Sequence, residues 1–164
     1  MQQQLSPKRL SAIAHHEAGH VVAAHAAGRA IQDVCVSATP LENGEYGKSR
    51  HVNPLFGQDI PDGDLRLTEM GTWELKISLA GPEAEKRVDP ARKAPASDLA
   101  EQKRILSCIS NLSQVEIDEY VRNVKSETRQ LVTDKWTAIE RVAAALIERG
   151  SLSGDQVVQI ISST

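Results

Sequence analysis

The segment AHHEAGHVVAAHAAG, residues 14–28, constrains the fold more than any other part of the chain. Alanine-rich segments of this kind form helices readily, yet this one carries four histidines and a glutamate. Ser6 is a favoured N-cap, and Pro7 suits the first helical position. Gly28 favours a stop, so a helix is predicted over 7–27. One side of this helix is expected to pack on a core, because apolar residues recur at helical spacing: Leu10, Ile13, Ala14, Val21 and Ala24.

Two short strands are predicted after this helix. Residues 31–37 (IQDVCVS) are rich in β-branched side chains and alternate roughly between apolar and polar, which is typical of a strand. The stretch 39–64 is rich in Gly, Pro, Asn and Asp and indicates turns and a long loop, with a second strand around 47–52. A loop of this length inside a compact domain is often functional.

The rest of the chain is predicted to be helical. Asp64 can cap a helix over 64–80, and Gly81-Pro82 is expected to interrupt it before a short helix over 82–87. Further helices are predicted over 98–112, over 114–149 with a break near Thr133-Asp134, and after the capping box formed by Ser153 and Gln156. The expected fold class is mainly α, with a small β-sheet or hairpin.

Composition and charge limit the classes of function. A formal charge of −3 and an aromatic content of 3% predict no strong attraction to nucleic acid. No apolar run approaches the roughly 20 residues that a membrane-spanning helix needs, and the N-terminus lacks the apolar core of a secretory signal. Cys35 and Cys108 make no disulfide framework, which indicates reduced thiols in a cytoplasmic protein.

Residues 16–20, HEAGH, form the H-E-x-x-H pattern. Side chains four apart on a helix lie on the same face, so His16 and His20 can reach one zinc ion. Glu17 is placed to act as general base on a water activated by that metal. Gly19 removes a side chain where another element can approach closely.

A catalytic zinc site usually has a third protein ligand. Residue 26, where one subclass places a third histidine, is Ala26. Later carboxylates remain as candidates, and spacing does not choose among them: Glu69, Glu74, Glu83, Glu85 and Asp98. For Asp98, at the start of a predicted helix, a simple capping role is the alternative interpretation.

Three segments in order, HHEAGHVVAA, SLAGPEAEKRV and ASDLAEQKRIL, resemble the peptidase domain of FtsH-type zinc metalloproteases. The resemblance runs from about residue 8 to the end of the chain. It implies a helical zinc-metalloprotease domain in which His16, His20 and Asp98 hold zinc and Glu17 is the base. It also suggests that Glu85 does not bind the metal itself but orients a ligand or a helix end. The alternative is that Glu85 is a charged surface residue without such a role.

We therefore expect one domain over 1–164, with a metal-site part over 1–112 and a C-terminal helical part over 113–164. The resemblance implies hydrolysis of peptide bonds in unfolded proteins or flexible peptides. An extended substrate is expected to pair with the edge of the strand at 31–37. A homo-oligomer is expected as well, since that family assembles into rings.

The chain departs from the family in ways that leave alternatives open. It has no G-x-x-x-x-G-K-[ST] phosphate loop and no membrane helix, so a separate ATPase partner is one expectation. Pro82 and the segment VDPARKAPAS replace the family's usual residues before Asp98. A non-catalytic zinc-bound interaction or oligomerisation module is the alternative function. The start at Met1 slightly favours a natural short chain over a fragment of a larger protease.

Overall fold

Helices dominate the architecture, and a small antiparallel sheet accompanies them. The computed structural model describes residues 4–55, 65–108 and 112–163, with the backbone alone at 65–68. The described residues form α1 (Pro7–Ala26), β1 (Ile31–Val36), β2 (Gly47–His51), α2 (Leu65–Val88), α3 (Ala96–Ser107), α4 (Gln114–Asp134), α5 (Trp136–Arg149), β3 (Ser151–Ser153) and α6 (Gly154–Ser162). The mainly α class with a small sheet is confirmed.

Helix α1 matches its predicted span to within one residue. The Ser6 side chain accepts a hydrogen bond from the Arg9 backbone N–H, and Pro7 follows as the first helical residue. Gly28 adopts a φ of 71° just beyond the end, a conformation that glycine tolerates best. The buried face includes His16 and Glu17 among small apolar residues, so the motif points inward.

Helix α2 runs without interruption through Pro82, so the predicted break at Gly81-Pro82 is wrong. An internal proline removes one helical hydrogen bond and costs about 3 kcal/mol. Packing of the helix against the core on both sides of Pro82 offsets this cost. Ala80 and Ala84, two residues before and after the proline, have no exposed surface. The predicted cap at Asp64 lies outside the described residues.

The strands form a sheet in the order β2-β1-β3, with both pairs antiparallel. Val34 lies opposite Ser49 of β2 on one side and Leu152 of β3 on the other. Strand β1 is therefore central, and the expectation that its edge receives a substrate is wrong. Strand β3 was not predicted, because three residues carry too little pattern and their partner lies far away in the chain.

Two apolar clusters hold the elements together. The larger joins α1, β1, α2 and α5, and the smaller joins α2 to α3 and α4. Lys135 separates α4 from α5, which confirms a break close to the predicted position. Helix α3 begins at Ala96, two residues before its predicted start. No helix among the described residues is both long and apolar enough to cross a membrane.

Candidate metal centre

Three side chains from two helices converge at one point. His16 and His20 lie on successive turns of α1, and Asp98 lies in the first turn of α3. The Nε2 atoms of the two imidazoles are 3.0 Å apart. Asp98 Oδ2 lies 3.1 Å from His16 Nε2, and Asp98 Oδ1 lies 3.6 Å from His20 Nε2. These residues form a group that could hold a metal ion, with all ligand atoms within 4.8 Å of one another.

The spacing suits a shared divalent cation. Two nitrogens each bound at 2.0–2.1 Å to a tetrahedral ion lie about 3.3 Å apart, and the observed separations bracket that value. Asp98 Oδ2 is buried and accepts no well-formed hydrogen bond from any described residue. Three electron-rich atoms at this distance repel one another unless a cation lies among them. The donor set of two imidazoles and a carboxylate therefore fits a transition metal ion.

The outer nitrogens of both imidazoles have partners that orient the rings. His16 Nδ1 donates to Glu85 Oε2 at 2.9 Å, and His20 Nδ1 donates to the Ile77 carbonyl oxygen at 2.8 Å. A hydrogen bond at Nδ1 fixes the ring and leaves the Nε2 lone pair for a metal. The expected contact of Glu85 with a ligand is thus present, and the side chain is buried rather than on the surface.

Two arginines hold Glu85 in turn. Arg9 of α1 and Arg92 of the α2–α3 connection lie 2.5 and 3.3 Å from Glu85 Oε1. Burial alone would raise the pKa of Glu85, but His16 and Arg9 outweigh it and lower that pKa. Neither arginine was anticipated, because Arg9 lies 76 residues from Glu85 in the chain and Arg92 lies in the connection that follows the end of α2.

The site favours positive charge. Burial lowers the pKa of His16, but the neighbouring carboxylates of Asp98, Glu85 and Glu17 outweigh burial and raise that pKa to about 10. Burial likewise raises the pKa of Asp98, while His16 and His20 hold it well below its ordinary value. A proton is thus attracted to the place where a metal ion would be held.

Glu17 lies beside this centre with little solvent contact. Burial raises its pKa, although His20, His16 and a hydrogen bond with Ser49 act in the opposite direction. Gly47 of β2 packs directly on the carboxylate, since a Cβ at that position would lie 2.6 Å from Glu17 Oε1. A cavity of about 340 Å³ is lined by Glu17, both histidines and Asp98.

Glycines allow the elements to approach one another. A Cβ at Gly19 would lie 2.5 Å from the Ala80 carbonyl oxygen, which confirms that this glycine admits a neighbouring element. A Cβ at Gly81 would collide with the His20 ring. Gly81 is therefore part of the site, and its position before a proline had indicated only a helix break.

Apart from Glu85, which contacts the outer nitrogen of His16, the remaining candidate carboxylates do not belong to the group that could hold a metal ion. Glu69 is exposed, and Glu83 lies near Lys86 and Arg129. Glu74 is buried but paired elsewhere. The capping interpretation of Asp98 is wrong, because Pro95 is the N-cap residue of α3 and makes no side-chain cap bond.

A second cavity of about 390 Å³ also borders the centre. It shares His20, Ser49 and Asp98 with the first cavity and extends to His51 and Glu74. His51 is half-buried and lies 2.7 Å from Glu74 Oε2. The centre consequently borders two cavities.

In comparisons with known proteins, no family model matches the chain and no curated protein gives a significant match. The candidate centre is defined by its own geometry: His16, His20 and Asp98 converge, with Glu17 beside them. Glu85 supports the first of these ligands from behind.

Proposed function

We propose that the chain is a zinc-dependent metallopeptidase of the FtsH type that hydrolyses peptide bonds in unfolded proteins or flexible peptides. The observation that carries the proposal is the convergence of His16, His20 and Asp98 next to the buried carboxylate of Glu17. A purely structural zinc site normally has four protein ligands and no use for a base. Three ligands beside a glutamate and a cavity favour catalysis instead.

His16, His20 and Asp98 would hold the zinc ion. When bound, zinc acts as a Lewis acid and lowers the pKa of water towards neutrality. Glu85 and the Ile77 carbonyl keep both imidazoles oriented for this role. The close approach of Gly81 to the His20 ring keeps that ring in place from the α2 side.

Glu17 acts as the general base. Its burial raises its pKa, and a carboxylate with a raised pKa accepts a proton more readily at neutral pH. It takes a proton from the attacking water and passes it to the departing amine. Ser49 and Gly47 hold the carboxylate between β2 and α1 during this exchange.

The polypeptide substrate lies along β2. This strand ends the described sheet on one side, and Gly47, Lys48 and Ser49 line the same cavity as Glu17. An extended chain can add to such an edge through backbone hydrogen bonds, which requires no particular side chains. Substrates that are already unfolded meet this requirement.

The wider setting follows from the family resemblance. A separate ATPase partner would unfold compact substrates, since the sequence contains no phosphate loop of its own. A homo-oligomer is proposed on the same grounds. The two unpaired cysteines favour a cytoplasmic setting.

The test compares the wild type with Glu17→Gln, and His25→Gln serves as a matched control on α1. Bound zinc is measured by elemental analysis, and cleavage is measured with unfolded casein. All three proteins are expected to bind one zinc per chain, and only Glu17→Gln should lose cleavage. A wild type that holds zinc but cleaves no more than Glu17→Gln would instead support the non-catalytic interaction module.

A further inference from the structure

A buried charge network lies at the end of β2, outside the chemistry proposed above. The Glu74 side chain of α2 is only 1% exposed, and both of its oxygens are engaged. Oε1 accepts a hydrogen bond from Arg29 Nε at 2.8 Å, and Oε2 lies 2.7 Å from His51 Nε2. A buried carboxylate held at both oxygens has little freedom to move.

This network fixes the orientation of His51. Nε2 is taken by Glu74, and Nδ1 bonds to no residue within 4–55, 65–108 or 112–163. The His51 side chain is 21% exposed and borders the second cavity. One ring nitrogen is thus held by the protein while the other remains for a ligand.

The strand geometry relates His51 to the metal centre. Alternate residues of a strand share a face, so Gly47, Ser49 and His51 lie on the same face of β2. The first two of these contact or bond Glu17. His51 follows Ser49 by two residues, about 6.7 Å along the strand. The cavity that it borders also contains His20 and Asp98.

We propose that His51 is a substrate-binding residue, with Glu74 and Arg29 as its positioning residues. Its Nδ1 forms a hydrogen bond with the backbone of the polypeptide segment that follows β2 past the metal centre into the second cavity. A backbone group is the fitting partner, because every polypeptide presents one at each step along an extended strand. This inference rests on the proposed function, which supplies the polypeptide.

The first test follows the ring itself in full-length, zinc-loaded Glu17→Gln protein. An unstructured casein-derived peptide is added, and the ¹⁵N resonances of the histidine rings are recorded. The His51 Nδ1 resonance is expected to shift with peptide concentration, while those of His25 remain constant. A saturable peptide complex that leaves His51 Nδ1 unmoved would overturn the inference.

The second test measures kinetics with His51→Ala and with the positioning variant Glu74→Gln. Loss of one hydrogen bond predicts a rise in KM of about 2- to 10-fold for peptide cleavage, with kcat and zinc affinity close to wild type. His25→Ala should leave all three quantities unchanged. If His51→Ala does not fold, His51→Gln takes its place, because its amide can still donate to Glu74. Folded, zinc-loaded variants with wild-type KM would contradict the proposal.

The two proposals fail separately. If the wild type cleaves nothing but the peptide still shifts His51, the peptidase function fails while the binding role stands. If casein is cleaved and His51 does not respond, only the inference about His51 fails.

Discussion

The metal-site region and the C-terminal helices differ in what they bury. In α4, α5 and α6 the buried side chains are almost all apolar and follow helical spacing, and both α4 and α6 begin with capping boxes. In α1 and α2 the buried set contains charged and ionisable residues as well: His16, Glu17, Glu74 and Glu85. The C-terminal helices therefore follow the usual rules of hydrophobic burial and helix capping. Helices α1 and α2 depart from those rules because they bury ionisable side chains.

The difference shows that the chain departs from local sequence rules where buried ionisable side chains converge. Burial of an isolated charge is strongly unfavourable, so each of these groups has a partner of opposite charge or a hydrogen-bonding neighbour. Glu85 meets His16, Arg9 and Arg92, whereas Glu74 meets Arg29 and His51. Substitutions in the two regions should therefore change different measured quantities.

The largest effect is expected for Asp98→Asn. The variant loses an anionic ligand, and we expect zinc affinity to fall by more than the roughly 100-fold that loss of a residue supporting a ligand causes. Competition with a chelating dye measures the affinity, and circular dichroism checks that the protein is folded. Wild-type affinity in the folded variant would remove Asp98 from the ligand set.

Leu146→Ala should lower the stability of the fold and leave zinc affinity unchanged. Leu146 has no exposed surface in α5, so its truncation is expected to lower the free energy of unfolding by about 2–5 kcal/mol. The neighbouring Ile147 is 45% exposed, and Ile147→Ala should change that free energy by less than about 0.5 kcal/mol. Urea denaturation measures both. A change in zinc affinity of folded Leu146→Ala would contradict the separation of the two regions.

Glu85→Gln should act mainly on the metal. Loss of the carboxylate behind His16 is expected to weaken zinc binding by about 10- to 100-fold. Glu83→Gln is the matched control, because Glu83 lies on the same helix and near Lys86 rather than an imidazole. Equal affinities for the two variants would show that Glu85 does not support the ligand.

A smaller effect on stability is expected at the start of α6. Ser153 accepts a hydrogen bond from the Gln156 backbone N–H, and Ser153→Ala should lower the free energy of unfolding by about 1 kcal/mol. Ser126→Ala, at an exposed position in α4, should change it by less than about 0.5 kcal/mol. Zinc affinity should stay at the wild-type value in both variants. A lower zinc affinity in either variant would contradict the separation of the C-terminal helices from the metal centre.

The smallest effect concerns the pH response of α4. Hydrogen bonds from the Ser113 backbone and hydroxyl lower the pKa of Glu116 below 4.5. A lowered pKa in the folded state means that Glu116 favours folding above 4.5, and that this contribution is lost as the pH falls through the lowered pKa. Carboxyl NMR titration should show a lowered pKa in the wild type and a higher one in Ser113→Ala. Identical titration curves would contradict this account.

Much of the fold was accessible from local signals. Ser6, Pro7 and Gly28 predicted α1 to within one residue, and the break at Lys135 lies close to its predicted place. Strand β3 and the continuous path through Pro82 were missed, because both depend on packing against distant elements. Local propensity cannot register such contacts.

The candidate centre shows the same division. The spacing of His16 and His20 predicted that they share a helix face, but five later carboxylates were open by spacing alone. The family resemblance selected Asp98, which the structure brings to the two rings. Arg9 reaches Glu85, and Gly81 reaches the His20 ring, only through the tertiary fold.

The pairing of β3 with β1 has a consequence for anyone who shortens the chain. Residues 1–112 expressed alone would lack β3. The β1 backbone N–H and C=O groups that pair with β3 would then have no partner on that side. An unpaired strand edge of this kind favours aggregation through strand pairing between molecules. A shortened chain that keeps the candidate metal centre would therefore need either residues 113–164 or a replacement strand supplied by another molecule.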